Sequence, residues 1–188
     1  LGCGCGGVGH LERQPMMRMA LLLLLAAALC GSLPAQNMEE TARLLALFNS
    51  HPKADIAVEL VKKYEGLHDR SDYPYYGYGH RRLPNEKLSY DMTEEEAEAL
   101  LRKDLAVRYR LFRNYRKDAL LLTVLSYNVG QGVLLGHGRY PKSRLIRKLE
   151  AGNRDIYREY TAYCRYKGKP VRSIERRRKM EFLLLYEP

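Results

Sequence analysis

The chain has 188 residues, a formal net charge of +10 and four cysteines. Cys3, Cys5 and Cys30 precede residue 35, so a disulfide-stapled scaffold is excluded for the remainder, which is long enough for one domain with its own core. The basic balance favours polyanionic partners, but no zinc-finger spacing or recognisable nucleic-acid module accompanies it, and the histidines show no metal-ligand spacing.

Leu1 to Pro15 is glycine-rich, starts without Met and reads as upstream translated sequence with no structural role. Met16-Met17-Arg18-Met19, the apolar run Ala20 to Leu29 and the small-residue exit from Cys30 to Ala35 read as a secretory signal, with cleavage expected near Ala35. The apolar run is too short to span a bilayer. Export to the periplasm or the cell exterior follows. Residues 36–53 form a short amphipathic helix or linker, with Leu44, Leu45, Leu47 and Phe48 as its apolar content and His51-Pro52 as its break. The main domain is expected over 54–188.

Asp55 opens the next helix, Ile56, Leu60 and Tyr64 repeat along one face, and Gly66 ends it. Tyr73 to Tyr90 suits a hairpin. Thr93-Glu94-Glu95-Glu96 is a capping box ahead of a helix that carries Ala97, Leu101, Leu105 and Tyr109 on one side. Ala119 to Tyr127 is nearly all apolar and reads as a buried helix ended by Gly130 and Gly132. Leu134 to Tyr140 is a loop; Pro141 starts a helix that Gly152 terminates. Asp155 to Tyr166 reads as a helix with Cys164 as a buried thiol on its apolar stripe. Gly168 to Pro170 is a turn. Ser173 to Tyr186 is the last helix, with an exposed basic end. The pattern is α+β, mostly helical with one small sheet.

Glu65 carries the chemistry. A carboxyl at the mouth of a helix, between tyrosines and a hairpin, is partly desolvated, which favours the neutral acid. The helix dipole acts in the same direction, because it disfavours an anion at a C-terminus. Such a placement costs helix stability and suits a group that holds a proton near neutrality, as glycosidic bond cleavage requires. A solvated glutamate at a helix end is the plain structural alternative.

The passage from Glu65-Gly66 into Tyr76-Gly77-Tyr78-Gly79-His80 resembles the phage-type lysozymes, the muramidases of glycoside hydrolase family 24, whose hallmark is a helix ending in Glu-Gly before a hairpin with Thr-Ile-Gly-Tyr-Gly-His. Three further segments follow in the family's order. Lys117-Asp118-Ala119-Leu120 leading to Ser126-Tyr127-Asn128-Val129-Gly130 resembles its central buried helix. Ser143 to Gly152 resembles its Ser-Thr-Leu-Leu-x-Lys-Leu-Asn-x-Gly segment, and Arg177-Arg178-Lys179-Met180-Glu181 its Arg-Arg-x-x-Glu helix. The resemblance implies a lysozyme-like fold with a small β-hairpin lobe and a larger helical lobe around a cleft. It implies a muramidase that hydrolyses the β-1,4 bond between N-acetylmuramic acid and N-acetylglucosamine in peptidoglycan strands. It implies Glu65 as general acid and no cofactor or metal. A monomer is expected.

The second catalytic group is where the chain departs from the family, which places an Asp roughly nine residues after the Glu and a Thr roughly six after that. Here the interval from Glu65 to Gly77 is shorter by about five residues. Counted back from Gly-Tyr-Gly-His, Asp69 has the spacing; counted forward from Glu65, Asp72 is nearer; Tyr75 stands where the Thr would be. Asp69 and Asp72 are both candidates to orient the hydrolytic water, and either is equally a turn residue. Tyr75 and Tyr78 are candidates for sugar stacking or for packing; a nucleophilic tyrosine, as in sialidases, is the remote reading of Tyr75. Asn128 either hydrogen-bonds an N-acetyl group or caps its helix, and Ser143 either caps a helix or faces the cleft. His80 is expected to partner an acidic side chain. One of Arg176, Arg177 and Arg178 either pairs with Glu65 or stays solvated. The shortened hairpin motivates a rival, a wall-binding module without turnover, and charge alone motivates a nucleic-acid binder.

Overall fold

The computed structural model describes residues 35–188. The upstream extension and the signal segment expected before Ala35 lie outside the described residues. The chain divides into Leu1–Met38 and a compact unit, Glu39–Pro188. No helix among the described residues is long and apolar enough to cross a membrane.

Helix α1 (Ala35–Asn49) covers the segment expected as a short helix or linker. It is part of the packing: Phe48 is fully buried, and Leu44 and Leu45 lie against the same core. Helix α2 (Ala54–Glu65) buries Ala54, Ala57, Val58, Leu60 and Val61. The expected stripe through Ile56 is corrected, since Ile56 is 39% exposed and the small residues at 57, 58 and 61 carry the inner face. Gly66 stops the helix as expected, at φ +71°, a conformation that glycine adopts without a Cβ penalty, and its N–H closes on the Lys62 carbonyl at 3.0 Å.

The hairpin expected over Tyr73 to Tyr90 is smaller. Strands β1 (Tyr75–Tyr76) and β2 (His80–Arg81) pair antiparallel, Tyr75 opposite Arg81 and Tyr76 opposite His80. The chain after β2 is held by His80 itself. Its Nδ1 lies 2.8 Å from Asp104 and its Nε2 2.7 Å from Glu86. Burial disfavours the imidazolium, but the hydrogen bonds and charges of the two carboxylates outweigh it and raise the ring to about 9. Helix α3 (Glu94–Phe112) begins at Thr93 with both bonds of the capping box formed.

Helix α4 (Ala119–Val129) is buried continuously from Ala119 to Ser126. It packs against α2, α3 and the final helix. Its two internal hydroxyls are satisfied within the helix, Thr123 donating to the Ala119 carbonyl and Ser126 to the Thr123 carbonyl, each at 2.8 Å. Gly130 caps it. Gly132 does not end anything; it lies inside a short helix α5 (Gln131–Leu135), where a loop was expected from Leu134. Helix α6 (Arg144–Glu150) starts three residues after Pro141, because Ser143 is the residue whose side chain caps it, accepting from the Ile146 N–H at 3.2 Å.

The largest correction falls on Asp155 to Tyr166. Only Tyr157–Thr161 is helical (α7); Arg165–Tyr166 (β3) and Lys169–Pro170 (β4) form a second hairpin. Lys167 and Gly168 both take positive φ, +48° and +79°, the two-residue turn that matches strand twist. Cys164 therefore sits outside any helix, partly buried and free. Helix α8 (Arg172–Leu185) closes the unit, and its basic stretch is not wholly exposed as expected: Arg177 and Arg178 are buried. The result is an α+β, mostly helical, lysozyme-like fold with two small antiparallel sheets.

Candidate active site

Glu65 is the last residue of α2, and its side chain is 21% exposed at the edge of a pocket of about 260 Å3. His68, Tyr75, Gly79, Tyr127 and Asn128 line the rest. Three elements build this pocket: the end of α2 with the loop behind it, the β1–β2 hairpin, and the end of α4. The hairpin is tied to α4 by the Tyr127 hydroxyl, which donates to the Tyr78 carbonyl at 3.0 Å. Gly79 sits where both neighbours come close. A Cβ there would lie 3.6 Å from the Tyr127 ring and 3.8 Å from His68 Cε1, and its φ of +100° disfavours any side chain.

Arg177 is the residue that pairs with Glu65. Its Nη1 donates to Glu65 Oε1 at 2.7 Å, and its Nε donates to Glu181 Oε1 at 2.8 Å. The guanidinium also lies over the Tyr64 ring, 5.3 Å from its centroid. Glu181 is 1% exposed and takes further bonds from Arg178 Nη1 and, at 2.9 Å, from the Tyr160 hydroxyl. Two buried arginines thus share one buried carboxylate, and the Glu65 carboxyl is the second acidic group at the cluster. Buried charges persist only when paired in this way.

Asn128 neither caps α4 nor stands alone. Arg178 Nη2 donates to its Oδ1, which turns its Nδ2 towards Glu65 Oε1 at 3.4 Å. Tyr75 borders the pocket, is 42% exposed, and its ring centroid lies 6.1 Å from that of His68. Tyr78 is placed elsewhere: it is 5% exposed and belongs to the core, with Lys62 over its ring. Ser143 serves as the cap of α6.

Asp69 and Asp72 are brought to each other rather than to Glu65. They form the reciprocal cap of a single 3-10 turn, Arg70–Asp72. Asp69 Oδ1 accepts from the Ser71 hydroxyl at 2.6 Å and the Ser71 N–H at 2.7 Å, and Asp72 Oδ2 accepts from the Asp69 N–H at 2.9 Å. The Ser71 bonds hold the Asp69 carboxyl below the usual carboxylate range. Both residues are exposed, and neither borders the pocket.

His68 is the site residue that sequence reasoning missed. The signal available was the short interval between Glu65 and the glycine-rich turn, which forces whatever follows Gly66 to lie beside the acid. A second depression, about 240 Å3 between α6 and α7, contains none of the candidate residues; its one carboxylate, Glu159, is paired with Lys148 at 3.0 Å.

A helical fold in which one helix ends in a glutamate at a pocket, opposite a glycine-turned hairpin, defines a lysozyme-like glycoside hydrolase. Residues 62–181 match the phage lysozyme family, and the chain belongs to that family. The matched span runs from the last turn of α2, which delivers Glu65, through the Arg177 and Glu181 positions of α8. Family membership makes the protein a lysozyme-type hydrolase of peptidoglycan. No curated protein matches the chain.

Proposed function

We propose that the protein is a muramidase cleaving the β-1,4 bond between N-acetylmuramic acid and N-acetylglucosamine, with Glu65 as general acid. The observation that carries this reading is the placement of Glu65 at the pocket with Arg177 on its Oε1 at 2.7 Å. In the reaction Glu65 gives its proton to the leaving sugar oxygen. The carboxylate so formed meets a buried guanidinium already in position, and the cluster of two arginines and two glutamates reaches neutrality as the bond breaks. Preorganised charge of this kind acts without reorganisation at the moment of reaction. Tyr75, on the exposed side of the pocket, supplies an aromatic face for a sugar ring, and Asn128 supplies an amide at the same wall. The basic surface draws the enzyme to the anionic wall. Export by the sequence before Gln36 delivers it there.

The second reading, a wall-binding module without turnover, is favoured by one observation: Asp69 and Asp72 cap one another, and among the described residues no second carboxylate lines the pocket with Glu65. A peptidoglycan gel separates the two. Clearing by the parent protein that disappears in Glu65→Gln supports the muramidase; retention on peptidoglycan with no clearing by the parent supports the module.

A further inference from the structure

We propose that His68 is the general base of this site, taking the proton of the attacking water in place of a second carboxylate; the inference rests on Glu65 being the acid. The ring of His68 is fixed by one oxygen. Its Nδ1 lies 3.0 Å from the Gly77 carbonyl, and its backbone N–H donates to the same carbonyl at 2.8 Å. A carbonyl oxygen only accepts, so in the neutral ring Nδ1 carries the hydrogen and Nε2 carries the lone pair. No hydrogen bond engages Nε2 among the described residues. The ring borders the same pocket as Glu65, with Tyr75 and Tyr127 beside it. A Cβ at Gly79 would lie 3.8 Å from Cε1, so glycine there keeps a side chain off that edge of the ring. A lone pair of fixed orientation, on a ring that borders the pocket of the acid, is what water activation needs. The aspartates offer no equivalent: both are exposed, each is bound into the 3-10 turn, and both lie away from the pocket wall.

The step balances without a co-reactant. The water oxygen bonds to the anomeric carbon while its proton passes to His68 Nε2. The bond from that carbon to the leaving oxygen breaks, and that oxygen takes the proton of Glu65. The products are a new reducing end and a new hydroxyl, with His68 protonated and Glu65 ionised; solvent exchange restores both. Attack from the face opposite the leaving group gives the α-anomer from a β-linked strand.

The test is His68→Asn in the purified protein. Its amide still donates to the Gly77 carbonyl, whereas the basic nitrogen is gone. The expected result is a fall in kcat of about 10- to 1000-fold, with KM within about twofold and the melting temperature close to the parent's. Added azide, which attacks without losing a proton, should then restore release as an α-glycosyl azide, a product that a merely structural loss does not yield. If His68→Asn does not fold, His68→Gln is assayed in the same way. A variant with parental kcat, or a loss that azide leaves untouched, overturns the proposal. So does azide rescue of Asp69→Asn or Asp72→Asn instead. An inactive parent, or an active Glu65→Gln, strikes the muramidase reading itself and is thereby distinguished.

Discussion

Arg177 bridges Glu65 and Glu181, at 2.7 Å through Nη1 and 2.8 Å through Nε. One side chain of α8 therefore holds the candidate acid at the end of α2 to the carboxylate that anchors its own helix.

Arg177→Met should affect both ends of this bridge. Glu65 loses its orienting partner, and kcat should fall at least about tenfold, since small misplacements of a reacting group are expensive. Glu181, 1% exposed, keeps Arg178 and Tyr160 but loses one cation, for a destabilisation of about 2–4 kcal/mol. Arg177→Lys should fall between parent and Met, because an ammonium does not span two carboxylates as a guanidinium does. Turbidity clearing and thermal melting measure the two effects.

Asn128 spans Arg178 and Glu65 with its two amide atoms. Asn128→Ala removes the acceptor from Arg178, which is fully buried, and should cost about 1–3 kcal/mol. Activity should drop as well, since the amide wall at Glu65 is lost. Equal melting temperatures for variant and parent would refute the buried-acceptor role.

Asp69→Asn and Asp72→Asn should each retain turnover within about tenfold of the parent, the low end for a positioned catalytic group. Asn caps a helical turn about as well as Asp, so the Arg70–Asp72 turn should persist. Steady-state rates on solubilised peptidoglycan give the answer, and a larger loss in either variant would return that aspartate to the mechanism.

Stability should depend on pH through His80. Its folded-state value, about 9, lies above the ordinary 6.5, so the folded form binds the proton more tightly. The contribution is complete below about pH 6.5 and is lost as pH rises through about 9, with an upper size of about 3 kcal/mol. Chemical denaturation from pH 6 to 10 should therefore show a decline in the parent that is absent in His80→Gln. Parallel curves would contradict the ion pairs with Asp104 and Glu86.

The sequence by itself determined those features that near neighbours decide. The end of α2 at Gly66, the capping box at Thr93 and the burial of Ala119 to Ser126 depend on periodicity, side-chain caps and a positive-φ glycine, all read within a few residues. The order of the family-like segments carried Glu65 in the same way. The second hairpin was hidden because Tyr160 and Cys164 continued a helical stripe past Thr161, where the helix ends, into the strand at Arg165–Tyr166. Tertiary structure alone decided the rest of the site. Which of three consecutive arginines meets Glu65 follows from the rotation of α8 against α2, and the pair it makes joins residues 112 positions apart. The His68 ring is oriented by the Gly77 carbonyl in the turn of the first hairpin, and the aspartates are drawn aside by their own turn. Charge pairing and hydrogen bonding act between whatever groups packing brings together, and no local pattern encodes that meeting.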